Sequence, residues 1–565
     1  MDMEIVQKRK YYQEMIEKLD KFMISIQKDD GSYPGKTNYG YTFSALFWSY
    51  CGIEEHNEYI ERALKAHTYQ DKNYFDYPWE FNNYALLKLK ERKLYLAPVF
   101  WQCNKGTKVT NWRLLGVINA YRATKKKYYL LKLIPILFGK ISKDGLIRDE
   151  KFLRSHTRSF QYHAFSMALL GELFVLSEIK IIGELFLKAT FFITDKIMES
   201  GRALYLGRGQ EQIFGYSVLL YCLELAYKLT HERKFAKKAL NVLALLKSFQ
   251  REDGSFPLVL NEEEFKKGLL SSNDKPLGWY SYNTPFDYLP FAGVYLCEAF
   301  ELSKSKDIYP LLGLSKVNEK IKEKEKEVIK GSRITHEYCY ALPTGGKGYY
   351  SDEMPFPFIV TKKSGEITPI YGGDPIWTGY YGPSCIPLPY GLVDRAFLEK
   401  NKFFRCHFYL NIKLSHWCYR NYYRQIDNNN LPYFFANQLN YRATPSGFTG
   451  ENHWIRHERS FLFEKDRVEI VDTIRLKKVV KFVSLYSVNF FLFPCKIEND
   501  RKNLGVLRCE GSDFGVKVEG IEGKILVGKQ PSPLGKLIWI REDIGISRKD
   551  TIERKIEITW QRFIT

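Results

Sequence analysis

Apolar residues recur at three- and four-residue steps through roughly the first 330 positions and at two-residue steps beyond them. The first spacing is that of a helix face, the second that of a half-buried strand. It predicts helices over 4–28, 41–51, 57–68, 79–92, 110–124, 128–140, 159–177, 179–199, 211–229, 232–250, 284–303 and 307–327. Two of the intervening loops share one pattern. Gln27 to Pro34 and Gln250 to Pro257 both read Gln-x-x-Asp-Gly-Ser-aromatic-Pro, and Ser142-Lys-Asp-Gly-Leu-Ile147 is a weaker echo. An Asp-Gly after a helix supplies the left-handed turn that ends it. Its return at wide intervals predicts stacked helical hairpins closed into a ring.

The segment Leu314 to Ser332 is charged all round and ends in Gly-Ser, the pattern of a solvated connecting helix. Beyond it come short aromatic and β-branched runs at Tyr338, Pro357, Phe404, Arg459, Arg467, Phe482, Gly515, Lys524 and Arg554, separated by turn residues. They predict an antiparallel sandwich or barrel. A helical half followed by a β half means two domains, 1–330 and 331–565.

The polar residues concentrate at helix starts. Arg154 to Leu173 opens with titratable groups and continues as an apolar helix. Arg158 and Tyr162 are four apart, a spacing that stacks them on one side of a first turn, where a guanidinium favours the phenolate. Flanked by Gln161 and His163, this cluster can take a proton from carbon and return one to a leaving oxygen. A helix-starting Tyr and His can equally bond to neighbouring loops. A second cluster, Tyr205 to Tyr216, places Gly207 and Gly209 around Arg208, followed by Gln210 and Glu211, just before another helix; it reads as a substrate clamp or a structural turn. Asp76 to Tyr84 and Gly278 to Asn283, the latter with Trp279, are aromatic-polar stretches that either pack the core or stack sugar rings. Asn111 is either a helix cap or a group facing a ligand.

Composition narrows the partner. Lys and Arg number 85 against 65 Asp and Glu, a net charge of +20, which favours an acidic partner. No uninterrupted basic arm and no nucleic-acid motif is present. Aromatics are 16% of the chain, well suited to flat sugar rings. The ten cysteines are scattered singly without a Cys-x-x-Cys pair, so neither a metal site nor a redox motif is indicated, and no cofactor is implied. The N-terminus lacks the apolar core of a signal peptide, which makes a cytoplasmic setting the expectation. The apolar runs near 130–138 and 181–194 fall short of a membrane span.

Three stretches carry a resemblance to a known family. Asn111-Trp-Arg-Leu-Leu-Gly-Val-Ile-Asn-Ala120, Ser159-Phe-Gln-Tyr-His-Ala-Phe165 and His457 to Ile474 resemble, in turn, the cleft-facing Asn helix, the Ser-x-x-Tyr-His helix and the paired strands of the heparinase II/III-like polysaccharide lyases. The resemblance implies an (α/α) toroid followed by an antiparallel β-sandwich, with Tyr162 in proton transfer. One departure stands out. The His-x-His-x-Asp strand of that group is not recognisable, and only His336, His407, His416, His453 and His457 are present in the β half.

The chemistry asks for the same residue types. Elimination across a uronic acid needs its carboxylate neutralised, a base for the neighbouring C–H and an acid for the leaving oxygen. Asn111 or Arg113 suits the first need, Tyr162 with His163 the other two, and Arg158 the tuning of the phenol. Gln161, Arg208, Gln210, Glu211, Arg113, His453 and Trp279 are the expected contacts to an acidic polysaccharide or oligosaccharide. The rivals are a toroid glycoside hydrolase using two of Glu80, Glu211 and Asp287, and a non-catalytic glycan-binding protein.

Overall fold

The computed structural model describes residues 3–304 apart from the loops 68–76, 100–108, 205–208 and 269–283 and positions 143–144, 149, 153–154, 158 and 199. Beyond 304 it describes 334–336, 339–341, 359–363, 366–370, 392–393, 433–434, 440–444, 446–451, 455–463, 467–476, 484–492, 497–499, 506–509, 515–519, 524–532, 535–546 and 550–559. The chain divides into two compact units. One is Met1–Lys151 with Arg158–Glu325, the other Phe152–Thr157 with Lys326–Thr565.

The first unit is helical: α1 (Met3–Ile26), α2 (Gly40–Cys51), α3 (Ile53–Ala66), α4 (Tyr77–Glu91), α5 (Thr110–Thr124), a 3₁₀ stretch Lys127–Leu133 running into α6 (Ile134–Gly139), α7 (Phe160–Ser177), α8 (Lys180–Thr194), α9 (Ile213–Thr230), α10 (Arg233–Phe249), α11 (Glu262–Lys266) and α12 (Pro285–Lys304). Among these, α2, α4, α5, α7, α9 and α12 pack each on the next, and α12 returns to α2. That is a closed inner ring. The helix predicted over 307–327 lies outside the described residues.

Composition separates the two layers. Inner α7 and α9 are buried on every side through most of their length, whereas outer α10 buries Phe235, Ala239, Val242, Leu243 and Leu246 on one stripe. The apolar α9 is also long enough to cross a membrane, a run missed in the sequence, and 83% of it is buried inside the ring.

The repeated loop explains the closure of the outer layer. Gly31 has φ +82° and Gly254 φ +93°, both in the region that favours glycine. A Cβ at Gly31 would lie 2.1 Å from the Arg62 carbonyl oxygen of α3, and one at Gly254 2.1 Å from that of Lys18 in α1. Gln27 donates to the Tyr59 carbonyl and Gln250 to that of Met15, each three residues before the carbonyl its glycine abuts. Each such turn therefore hooks the end of one outer helix onto the next. The echo at Gly145 meets Lys188 of α8, and Gly201, with the same turn, meets Asn241 of α10.

The second unit is antiparallel in its described strands. Its main sheet orders Ile497–Asn499, Val506–Cys509, Gly515–Glu519, Thr551–Thr559, Arg467–Leu476, Ile455–Phe463, Gly447–Glu451 and Asn440–Thr444. Alternate residues Phe461, Ile470, Ile474, Ile552 and Ile556 are buried and share one face, while Glu553 and Arg475 are exposed. One-sided burial is the pattern of a sheet covered by a second layer. On that face the register aligns Arg459, Asp472 and Arg554; Arg459 holds Asp472 through two bonds of 2.6 and 2.7 Å. The strand expected at 404–410 lies outside the described residues. The whole is an α/α toroid followed by an antiparallel β unit.

Candidate active site

The inner helices run parallel, because early residues meet early ones and late meet late. Phe43, Phe81, Phe165, Phe214 and Phe291, from the first half of α2, α4, α7, α9 and α12, form one aromatic cluster with centroids 4.1–6.4 Å apart along its pairs. Toward the helix C-termini, Glu172 of α7 pairs with Lys88 of α4 at 3.0 Å and with Arg122 of α5, while Lys88 also holds Glu298 of α12 at 2.5 Å. The aromatic plug thus separates a charged layer at one end from the helix N-termini at the other. The helix N-termini bring the positive ends of their dipoles to that mouth, where Asp287 answers the N–H groups ahead of α2 and Ser159 caps α7.

The polar residues at the mouth join neighbouring helices. Asp287 of α12 accepts from Thr37 Oγ1 and from the N–H groups of Asn38, Tyr39 and Gly40 ahead of α2. Thr42 of α2 donates to Asn82 of α4 at 2.8 Å, and Asn119 of α5 donates to Glu80 of α4 at 2.7 Å. Gln161 of α7 donates to Gln212 ahead of α9 at 2.6 Å.

The starts of α5 and α7 are both tied to one connection. Thr110 Oγ1 donates to the Arg148 carbonyl at 2.6 Å, and the N–H of Ile147 donates to His163 Nδ1 at 3.0 Å. Consecutive residues of one turn thereby tie down the residues next to Asn111 and Tyr162. Both are buried, Asn111 at 1% and Tyr162 at 6% exposure, while Arg113 is half-buried. The N-cap of α5 is Val109, so Asn111 stands inside the helix rather than capping it.

Several expectations are corrected. His163 is a structural pin: its Nδ1 accepts from Ile147, its Nε2 faces the Ala189 carbonyl at 3.1 Å, and its ring packs edge-on to Phe192 of α8. With both nitrogens bonded to backbone, it has no site from which to move a substrate proton. The helix that holds Tyr162 begins only at Phe160, because Ser159 caps α7 in an extended conformation (φ −153°, ψ 124°) with its Oγ accepting from the Tyr162 N–H. Glu211 is not displayed: it is fully buried, pairs with Arg202, and accepts from Tyr216 at 2.9 Å. Burial pushes its carboxyl up, and Arg202 opposes the shift. Gln161 and Gln210 are likewise buried, and Gln161 fills the space beside Gly209 and Gly215. The three carboxylates offered for hydrolysis, Glu80, Glu211 and Asp287, are all committed to protein partners. Asp76 lies outside the described residues, and the stretch after it is the first part of α4, with Phe81 in the plug. Arg158, Arg208, His453 and Trp279 lie outside the described residues.

Sequence reasoning missed Asn82, Asn119, Arg202 and Gln212 as members of this girdle. Their signal was faint: Asn82 and Asn119 are polar residues inside helices, with partners 40 and 39 positions away, and Arg202 and Gln212 lie in the connection between α8 and α9. Among the described residues no group of three or more His, Cys, Asp or Glu is placed to hold a metal ion.

No family model matches the chain, and no curated protein matches it by sequence. Solved structures with some likeness include a cellobiose 2-epimerase from Bacillus thermoamylovorans (TM-score 0.38, 13% identity, 52% of this chain and 99% of that one). An alpha-1,6-mannanase from Salegentibacter sp. has a TM-score of 0.38 at 11% identity, covering 52% of this chain and 100% of that one. The heparan sulfate lyase HepC from Pedobacter heparinus covers 90% of this chain and 63% of that one, at 10% identity and a TM-score of 0.37.

Proposed function

We propose that the protein is a glycan-processing enzyme that cleaves an acidic polysaccharide or oligosaccharide by β-elimination at the mouth of the toroid. What supports this reading is that Glu80, Glu211 and Asp287, the carboxylates a hydrolase would use, are buried and each hydrogen-bonded to protein groups, while Asn111 and Tyr162 stand in the first turns of α5 and α7. The electropositive helix starts favour a uronate carboxylate there. Asn111 and Arg113 neutralise it, which acidifies the neighbouring C–H. Tyr162, as phenolate, takes that proton, the electron pair forms the C=C bond, the bond to the glycosidic oxygen breaks, and the phenol so formed returns the proton to that oxygen as it leaves. A free phenol is ionised in only about one molecule per thousand at neutral pH. A neighbouring cation is therefore needed, and Arg158, next to the cap of α7 in sequence, is the residue proposed to supply it.

Polyuronates and sulfated uronate glycans, followed together by ultraviolet absorbance and by reducing ends, test the proposal. An unsaturated, absorbing product is expected. Tyr162→Phe should keep the fold and lower turnover by at least about a hundredfold. Reducing ends without absorbance point to hydrolysis, and retention of glycan without any product points to a binding protein; either outcome removes the elimination reading.

A further inference from the structure

The outer layer carries a segment whose apolar residues face the wrong way for a core. Between 123 and 140 the chain has five lysines and no acidic residue, in the run Lys125-Lys-Lys-Tyr-Tyr-Leu-Leu-Lys-Leu-Ile-Pro-Ile-Leu-Phe-Gly-Lys140. A 3₁₀ helix has three residues per turn, so positions three apart are eclipsed. Leu130, Leu133 and Ile136 form one such row, and it is buried. Tyr128, Leu131 and Ile134 form a second row, exposed at 52%, 64% and 47%. Pro135 is exposed beside it. Lys125, Lys126 and Lys127 are exposed at the head of the row, and Lys132 lies 5.1 Å from the ring centre of Tyr129. Leu96, 83% exposed, lies on the chain leaving α4. Glu91, at the end of that helix, pairs with Arg122 and with Lys125 at 3.6 Å, so the two apolar segments depart from one point.

We propose that this face docks on an anionic lipid surface. Exposed aliphatic and tyrosine side chains in one row, headed by three exposed lysines of which only Lys125 meets an acid, Glu91, match the two needs of interfacial binding, apolar insertion and attraction to acidic headgroups. The segment is too short to span a bilayer, so it lies in the interface. A protein partner or a second copy would be served by the apolar row alone, and the excess of lysines, five between 123 and 140 with no acid in that run and only Glu91 against Lys125, is what favours lipid. The surface is separate from the mouth residues and does not depend on the elimination chemistry.

The test is sedimentation of the full chain with vesicles of phosphatidylcholine alone or mixed with phosphatidylglycerol. Binding is expected to be at least about tenfold tighter with the anionic lipid and to weaken with salt. Leu131→Ser with Ile134→Ser should lower partitioning by about tenfold or more, and Lys125→Gln, Lys126→Gln and Lys127→Gln together by about a hundredfold. Unchanged thermal midpoints establish that the variants are folded. Failure to pellet with anionic vesicles, equal pelleting of the variants, or a concentration-dependent dimer that only the serine variant abolishes would each overturn the proposal.

Discussion

Removing the Asp287 carboxylate should open the ring at the seam between its last and first inner helices. Asp287 Oδ1 lies 2.5 Å from Thr37 Oγ1 and 2.8, 2.9 and 2.8 Å from the N–H groups of Asn38, Tyr39 and Gly40, while Oδ2 accepts from Asn38 Nδ2 at 2.7 Å. The residue is 1% exposed, and of its donors Tyr39 and Gly40 are buried while Thr37 and Asn38 are half-buried. Leaving a buried donor without an acceptor costs about 1–3 kcal/mol, and losses that share one group are not additive. Asp287→Ala should therefore cost about 5 kcal/mol, at the exceptional end of single substitutions. Asp287→Asn keeps one acceptor oxygen and avoids the charge-burial penalty, but turns an NH2 toward the amide of Asn38; about 2 kcal/mol is expected. Chemical denaturation followed by far-ultraviolet circular dichroism, which reports mainly the helical unit, measures both.

The same carboxylate fixes a sign with pH. Burial pushes its folded pKa up against the opposing Thr37 and backbone donors. A raised folded pKa means that the folded state holds the proton more tightly than the unfolded chain, so stability from this group is greatest in acid and declines as pH rises through that pKa. Asp287→Asn should lack this component. An alanine variant within about 1 kcal/mol of wild type would show that the seam is not held by this residue.

Three further outcomes follow from other parts of the ring. Gly254→Ala forces a Cβ to within 2.1 Å of the Lys18 carbonyl at φ +93°, and should cost at least about 2–3 kcal/mol by thermal unfolding, whereas alanine at exposed Gly139, which has open space, should be close to neutral. Glu172→Gln leaves Lys88 and Arg122 buried without their shared carboxylate, so a loss of about 3–5 kcal/mol is expected; a Glu172→Gln chain as stable as wild type would mean the layer is hydrated. Burial lowers the His67 pKa from 6.5 to about 4, so the folded state binds fewer protons than the unfolded chain. Stability should fall as pH drops from 6.5 toward about 4, by about 1.4 kcal/mol per unit at most, and His67→Gln should flatten that limb.

The helices were readable because period alone decides them: α5, read over 110–124, forms at Thr110–Thr124, and α12, read over 284–303, forms at Pro285–Lys304. The repeated Gln-x-x-Asp-Gly loops were readable too, since a left-handed turn and a donating amide are encoded in adjacent residues. The strand Gly535–Ile546 escaped notice, because Arg541-Glu542-Asp543 interrupts its apolar alternation. Those residues are tolerated where Val488, Ser487 and Tyr486 on one side and Leu526, Ile525 and Lys524 on the other pair with them. The site was the least legible part. Gln161, Glu211 and Asp287 were recognisable as unusual, but whether such a group is displayed or bonded depends on partners 51, 9 and 250 positions away. Spacing carries no information about those distances.

The layering of the ring turns that ambiguity into a physical division of labour. Carboxylates on the girdle were the natural suspects for chemistry, yet Glu80 and Asp287 each close one inner helix against another, which a ring of parallel helices requires because its like-oriented dipoles repel, and Glu211 ties the connection ahead of α9 to that helix. Asp287 meets this need at the N-terminus of α2, where a negative charge facing bare N–H groups is favourable. At the far end Lys88 and Arg122 supply positive charge near the C-termini of α4 and α5, with Glu172 and Glu298 as their partners. Charge in this toroid is thus arranged first by the helices' own ends. The phenylalanine plug keeps the two layers apart, so substitutions in the Glu172 layer should alter stability while leaving the mouth chemistry of any surviving folded molecules unchanged, and Tyr162→Phe should do the reverse. Combining Glu172→Gln with Tyr162→Phe should give additive effects on stability and turnover within about 0.5 kcal/mol; a larger interaction energy would mean that the plug transmits between the layers.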